Sequence, residues 1–162
     1  MIEIIFSIII LLFIAAVLFC GIFFFFLWLR NDDSSLSGHI GEMKVSFFLS
    51  FLPSKYIVLN DILLQNGNKS SQIDHIVVSR YGVFVIETKN YSGWIYGSEK
   101  SRQWTQNIYG EKHSFFNPVL QNKGHIHTLK TVLGLPKEFF ISIVAFSEKA
   151  DLKSSFNENV VY

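Results

Sequence analysis

The chain has 162 residues, of which 49% are hydrophobic and 17% are charged, with a formal net charge of +1. A charge so close to zero predicts only modest, salt-sensitive affinity for nucleic acid. The single cysteine, Cys20, excludes a disulfide framework, and the length allows one domain beside any membrane segment.

The N-terminus, residues 1–30, predicts a transmembrane helix that contacts the membrane through residues 4–29. No charged residue lies in that stretch, and 26 helical residues reach about 39 Å, more than the roughly 30 Å hydrocarbon core. Glu3 stands where a cleaved signal peptide carries Lys or Arg, which argues against cleavage. Because Arg30 is the nearest positive charge, the positive-inside rule predicts a single-pass membrane protein with a cytoplasmic soluble domain.

A polar linker, residues 31–36, leads into a predicted domain over residues 37–162. From Ser37 to Leu52, apolar residues recur at helical spacing, and Pro53 ends the helix. The apolar stripe that we expect to be buried comprises Ile40, Met43, Phe47 and Phe51. The narrow polar strip of the same helix comprises His39, Glu42, Ser46 and Ser50.

Three strands are predicted next. Residues 56–64 alternate loosely, and Asn66-Gly67-Asn68 marks a turn. The following two strands, 72–78 and 83–89, are apolar enough to be buried, yet they carry Asp74, Glu87 and Lys89. Buried carboxylates cost several kcal/mol unless they are paired or bind a metal. These three residues therefore form one compensated cluster.

The loop between these two strands decides how the cluster is built. Glu87 and Lys89 share a face of their strand because side chains alternate. A loop with an even number of residues, for instance Tyr81-Gly82, pairs Arg80 with Val83, so that Asp74 lies opposite Lys89 and diagonal to Glu87. An odd loop would turn Asp74 to the other face. We predict the even loop, because it alone lets one ion compensate both acids.

The remaining segments complete an α/β or α+β fold. Gly93–Gly97 and the stretch through Trp104 predict short strands and a loop. Asn117-Pro118 starts a helix that runs to about Leu133 and ends at Gly134. This helix is expected to bury Ile126, Leu129 and Leu133. Phe140–Phe146 predicts a buried central strand, and Val160-Val161-Tyr162 the start of another, as if the domain were truncated at its C-terminus. This order predicts a mixed sheet flanked by helices.

Several short sequences resemble those of one family, the nuclease-related domain (NERD). They are Gly41-Glu42, Gln72-Ile73-Asp74-His75-Ile76, Ile86-Glu87-Thr88-Lys89-Asn90-Tyr91, Gly93-Trp94-Ile95-Tyr96-Gly97, Trp104, Asn117-Pro118 and Gln121-Asn122. The acid thirteen residues before Glu87-Thr88-Lys89 is the arrangement of the PD-(D/E)xK nuclease superfamily. The resemblance runs from about Ser37 to Ser147 and implies a restriction-endonuclease-like fold.

The resemblance also implies a chemistry. Asp74 and Glu87 would hold Mg²⁺, or Mn²⁺, and Lys89 would orient the attacking water and offset charge on the phosphate. Glu42 would be an additional acid, and Gln121 would position water or phosphate. The implied reaction is endonuclease hydrolysis of phosphodiester bonds, in DNA in preference to RNA.

Other interpretations stay open. Asp74 and Lys89 could form only a cross-strand salt bridge, and Glu42 could simply be solvated on the polar strip. The domain could be a non-catalytic module that binds nucleic acid or a protein at the membrane.

His125 is expected to cap the edge of the core, and His75 to be a packed, hydrogen-bonded histidine. The basic and aromatic residues that could contact nucleic acid are Lys100, Arg102, Lys112, Lys123, Lys130, Trp104 and Tyr109.

Overall fold

The computed structural model describes residues 18–22, 36–67 and 69–162. The chain divides into two units, Met1–Ser37 and Gly38–Tyr162. Most of the predicted transmembrane helix, residues 4–29, lies outside the described residues, and the part that is described, residues 18–22, is helical. Among the described residues, no helix is both long and apolar enough to cross a membrane.

From residue 36 onward the described chain is a mixture of helices and strands. The elements, in chain order, are helix α1 (36–49), strands β1 (Ile57–Asn66), β2 (Lys69–Ser79), β3 (Gly82–Lys89), β4 (Gly93–Tyr96), β5 (Gln103–Ile108) and β6 (Glu111–Phe116), helix α2 (Pro118–Leu133), a 3-10 helix (Lys137–Phe139), and strands β7 (Phe140–Phe146), β8 (Ala150–Leu152) and β9 (Asn159–Val161). The predicted α+β class is confirmed.

The strands form two sheets. The first has the order β1-β2-β3-β7-β9 and is mixed: β1, β2 and β3 are antiparallel, whereas β7 runs parallel to β3 and β9 parallel to β7. The second has the order β6-β5-β4-β8. The stretch after Lys89, predicted as short strands and a loop, is therefore a separate sheet and not an irregular insertion.

Helix α2 begins and ends where its local signals place it. The Asn117 side chain accepts hydrogen bonds from the N–H groups of Val119 and Leu120, Pro118 is the first helical residue, and Gly134 ends the helix with φ of 66°. Ile126 and Leu129 are buried as predicted. Leu133 is not: it lies in the last turn and is 52% exposed.

Two apolar cores stabilise the second unit. The first joins α2 to the five-stranded sheet through Ile73, Ile76, Val85, Ile126, Leu129 and Phe140. The second surrounds Trp104, whose ring is 1% exposed and stacks on Phe156 at 4.7 Å and on Phe146 at 6.1 Å between centroids. Trp104 is thus a core residue and cannot stack on nucleic-acid bases.

The predicted buried stripe of α1 is wrong. Ile40, Met43, Phe47 and Phe51 are 44–71% exposed, whereas Gly41 is buried. A Cβ atom at Gly41 would lie 2.6 Å from the Cβ of Asn90, so the helix approaches the end of β3 more closely than any side chain would allow. This contact turns the glycine side of α1 inward and leaves the apolar stripe outside.

Candidate active site

The loop of the β2–β3 hairpin has an even number of residues, as predicted, but the two strands pair in a different register. Its loop has two residues, Arg80 and Tyr81, and it pairs Ser79 with Gly82. The pairing of Arg80 with Val83, which was the example of an even loop, differs from the observed pairing by one position on each strand. If the observed pairing is continued past its last pair, Asp74 lies opposite Glu87 and not opposite Lys89.

Asp74 lies where β2 and β3 part. The last pair of their ladder is His75 with Ile86, whereas β2 continues to pair with β1 as far as Lys69. Past that pair, Oδ2 of Asp74 accepts a hydrogen bond of 2.7 Å from the backbone N–H of Thr88. The carboxylate thus supplies the acceptor that a neighbouring strand would otherwise give to this N–H group.

Burial and nearby negative charge disfavour the ionised form of Asp74. Burial and the charge of Glu87 together raise the pKa of Asp74 to about 6. The Thr88 N–H and Lys89 act in the opposite direction, and Glu42 adds a further negative charge. Asp74 is therefore a carboxylate whose charge is only partly compensated by the protein.

Glu87 is held differently, by two side chains at once. It is 2% exposed; its Oε1 accepts from Nζ of Lys89 at 2.6 Å, and its Oε2 lies 3.1 Å from Nε2 of His125. Burial alone would favour the neutral acid, but the hydrogen bond from His125 and the charge and hydrogen bond of Lys89 outweigh it, so the pKa of Glu87 is lowered. Glu87 therefore stays ionised near neutral pH.

His125 connects Glu87 to β2. Its Nδ1 lies 2.7 Å from Oγ of Ser71. Because the Glu87 carboxylate can only accept, Nε2 carries the hydrogen, and in the neutral ring Nδ1 accepts from the Ser71 hydroxyl. The expectation that His125 caps the edge of the core is wrong, since the ring is buried within the polar cluster. Its position one helical turn after Gln121 was the only sequence signal for this role.

Lys89 and Gln121 form the side of the cluster that is open to solvent. The Lys89 side chain is 18% exposed, and its Nζ also donates to Oε1 of Gln121 at 3.3 Å. Helix α2 thus brings Gln121 to the ammonium group, and its predicted role in positioning water or phosphate stays a prediction. The contact of Lys89 with Glu87 also confirms that these two residues share one face of β3.

Glu42 lies at the margin of the cluster. Its carboxylate is 3.5 Å from Nδ1 of His39 and its side chain is 32% exposed, while its charge contributes to the raised pKa of Asp74. Gly41 makes this approach possible, because it brings α1 against Asn90 and Thr88. Glu42 is therefore near enough to act on the site electrostatically.

His75 lies within the sheet, as expected. It is 2% exposed, and its Nδ1 is 2.9 Å from Oδ1 of Asn60. Burial lowers the pKa of His75, although the charge of Glu87 partly opposes this. His75 is consequently a neutral structural residue at neutral pH.

The donor set fits a hydrated Mg²⁺ ion better than a metal enclosed by protein ligands. Among the residues that the structure describes, no group of three or more His, Cys, Asp and Glu side chains could hold a metal ion. Mg²⁺ is commonly held by one or two carboxylates and keeps several waters. Asp74 and Glu87 can supply those carboxylates, and the partly compensated charge of Asp74 is what a cation would neutralise.

Comparisons with known proteins identify the family of the chain. Residues 37–147 match the family model described as the nuclease-related domain, NERD, which confirms the resemblance drawn from the motifs. An uncharacterized protein of Bacillus anthracis is 47% identical over 120 residues, which are 72% of this chain and 55% of that protein. The chain thus spans about half the length of this curated relative. No solved structure matches the chain.

Proposed function

Because the chain belongs to the nuclease-related domain (NERD) family, we propose that it hydrolyses phosphodiester bonds in nucleic acid in a Mg²⁺-dependent reaction. The observation that supports this best is the meeting of Asp74, Glu87 and Lys89 where β2 and β3 part. Two carboxylates of unequal basicity beside one ammonium group suit the binding of a cation and a phosphate together.

Each side chain has a role that follows from its surroundings. Glu87 is ionised and has a partner at each carboxylate oxygen, so it is the rigid ligand of Mg²⁺. Asp74, whose charge is less compensated, is the second ligand. When bound, Mg²⁺ supplies Lewis acidity and lowers the pKa of its bound water. Lys89 donates to a phosphate oxygen or to the attacking water, and Gln121 holds the ammonium group in place. Glu42 adds negative charge at the margin.

The proposed substrate is DNA in preference to RNA, as the resemblance to PD-(D/E)xK nucleases implies. Tyr109 is fully exposed at the turn between β5 and β6, and Trp94 is 49% exposed. Both could stack on bases, a role that the buried Trp104 cannot have. Lys123 is engaged by Glu158 at 2.7 Å, which reduces its availability for phosphate contacts.

A non-catalytic binding module is the second candidate. It is favoured by the fact that both oxygens of Glu87 already have partners within the protein, Lys89 and His125. Such a closed ion pair can be stable without a metal. In that case the acids would maintain the shape of a surface that binds nucleic acid or a protein.

Residues 4–29 anchor the chain in a membrane in this proposal, with the domain in the cytoplasm. The support is the absence of charge over 26 residues and the position of Arg30 directly after them. The substrate would then be cut near the inner surface of a membrane.

The test is cleavage of plasmid and oligonucleotide DNA and RNA by the full chain with Mg²⁺, Mn²⁺ or EDTA. Asp74→Asn and Lys89→Met should each lower the cleavage rate by at least about 100-fold. The matched controls are Glu138→Gln and Lys137→Met, in the exposed 3-10 helix that precedes β7. They lie at the start of β7, whereas Lys89 pairs with its last residue, Phe146. They should retain full activity.

Other outcomes contradict the proposal in different ways. Cleavage that survives in EDTA, or that is equal in Asp74→Asn and the parent chain, would mean that this site is not responsible. Binding of oligonucleotides without cleavage, unchanged in both site variants, would favour the non-catalytic module.

A further inference from the structure

The outward side of α1 and the turn after it form a continuous apolar surface. Its members are large side chains that are each 44–71% exposed: Ile40, Met43, Phe47, Phe48 and Phe51. The Phe47 ring packs edge-on against Phe51, at 5.0 Å between centroids, and against Phe48 at 5.9 Å. Soluble monomers rarely expose a large contiguous apolar patch, and those that exist are often functional. This set is called the α1 apolar surface below.

Helix α1 cannot rotate to bury this surface. Its inward side is fixed by Gly41, which packs against Asn90, and by Ser46, whose Oγ accepts from Nδ2 of Asn60 at 2.9 Å. Any rotation would place a side chain where only a glycine fits. The exposure of the α1 apolar surface is therefore a consequence of the packing that also brings Glu42 toward Asp74.

The chain before α1 indicates what covers the surface. The uncharged stretch, residues 4–29, is followed by only six residues before α1 begins at residue 36. Six extended residues reach about 20 Å at most. If residues 4–29 span a bilayer, α1 therefore begins within about 20 Å of the hydrocarbon boundary. An apolar helix so close to a bilayer has lipid as its nearest apolar surroundings.

The charges of α1 suit the same environment. Lys44 is exposed and lies one helical turn from both Ile40 and Phe48, whereas Glu42 is half-buried and its charge acts on Asp74. A lysine can extend its aliphatic stem along an apolar surface and place its ammonium group among anionic headgroups. Lys44 lies within the α1 apolar surface, so only its ammonium group has to reach the headgroups while the neighbouring Phe side chains insert, as in interfacial helices.

We infer that α1 lies in the membrane interface, with the α1 apolar surface inserted at the boundary between headgroups and acyl chains. This inference rests on the membrane anchoring that was proposed above. Because Glu42 lies on the inward side of the same helix, the site is then about one helix diameter, roughly 10 Å, from the headgroups. The membrane partner is a lipid surface that contains anionic headgroups.

The test places a fluorescent label on the α1 apolar surface of the full chain, reconstituted in vesicles of phosphatidylcholine and phosphatidylglycerol. In a Cys20→Ser background, Met43→Cys and Phe47→Cys each provide one labelling position, and His113→Cys on the exposed strand β6 is the matched control. Quenching is measured with aqueous acrylamide and with lipids that carry a quencher on the acyl chain. Flotation of the chain with the vesicles is measured in the same samples.

Labels at positions 43 and 47 should be quenched about threefold less by acrylamide than the label at 113, and they alone should be quenched by the labelled lipids. Equal acrylamide quenching at all three positions in a chain that floats would overturn this inference and leave the anchoring intact. Protection at 43 and 47 without lipid quenching would also overturn it, in favour of a protein partner or a second copy. A chain that does not float would overturn the anchoring and this inference together.

Discussion

Helix α2 and its N-cap carry two sets of polar side chains, and they do different things. Asn117 and Asn122 are fully buried and neutral, and they bind mainly to the backbone. Gln121 and His125 instead bind the charged side chains of β3. One helix thus holds the sheet together with amides while it completes an ionic cluster with its other polar residues.

The two sets differ in what the fold requires of them. Nδ2 of Asn122 donates to the carbonyl groups of Val85 and Ile143 and to Oγ of Ser142, so one amide links the parallel strands β3 and β7. Glu87 makes no comparable link, because its partners are side chains. A buried ion pair is weak evidence for a role in stability, whereas the proposed reaction would make use of this charge.

The largest expected effect tests Asn117 and Asn122, which are called the structural set below. Asn122→Asp replaces an NH₂ group, whose two hydrogens are shared among three acceptors, with a carboxylate that can only accept, in a fully buried position. Chemical unfolding should show a loss of about 3–5 kcal/mol at neutral pH. Asn107→Asp is the matched control: Asn107 only accepts, from the N–H of Gly110, and Asp keeps this bond. Its effect should stay within about 0.5 kcal/mol. Equal losses in both variants would remove the distinction between the two sets.

The next effect tests Gln121 and His125, which are called the ionic set below. His125→Ala removes a donor from the carboxylate of Glu87, and outer-shell changes of this kind lower metal affinity or activity by about 10–100-fold. We expect a lower cleavage rate, a higher Mg²⁺ requirement and partial rescue by His125→Gln, which restores a donor. His127→Ala, two residues further along the helix and exposed, is the control. Loss of stability without a changed Mg²⁺ requirement would place His125 in the structural set.

Local signals were sufficient to predict the ends of α2 and the bounds of β7. Asn117, Pro118 and Gly134 define the ends of α2 through caps that depend only on neighbouring residues, and Phe140–Phe146 is a strand with the predicted bounds. The even number of loop residues in the hairpin was also predicted, because only an even loop lets one ion compensate both acids. Such features need no knowledge of distant parts of the chain.

Long-range packing explains what the sequence did not reveal. The apolar stripe of α1 was expected to be buried, but the close approach of Gly41 to Asn90, far along the chain, decides which side faces inward. The role of His125 likewise depends on Ser71, 54 residues away. The place of Asp74 depends on where β2 leaves β3, which no periodic pattern encodes.

A smaller effect concerns the pH dependence of stability that the Asp74 carboxylate causes. Burial and the charge of Glu87 raise its pKa to about 6, so the folded state binds a proton more tightly than the unfolded state. The stability of the parent chain should therefore fall as pH rises from about 4 to about 6. Asp74→Asn lacks this decline and can still accept from Thr88. In EDTA it should be more stable than the parent by about 2–3 kcal/mol at pH 7 and equal to it below pH 4.

The Asp74→Asn comparison is made by denaturant unfolding of both chains across this pH range. A difference independent of pH would show that the charge of Asp74 is not the cause. Adding Mg²⁺ should stabilise the parent chain and leave Asp74→Asn unchanged, if the cation neutralises this carboxylate.

The smallest effect concerns Gln121, the residue of the ionic set with the weakest contact. Its Oε1 accepts from Lys89 at 3.3 Å, while the stronger bond of Lys89, 2.6 Å, goes to Glu87. Gln121→Ala should therefore slow cleavage only a few-fold and change stability by less than about 0.5 kcal/mol. Gln103→Ala, exposed on β5, is the control for loss of a glutamine. A stability loss for Gln121→Ala near that of Asn122→Asp would mean that α2 holds the sheet with both sets, and the division between them would not stand.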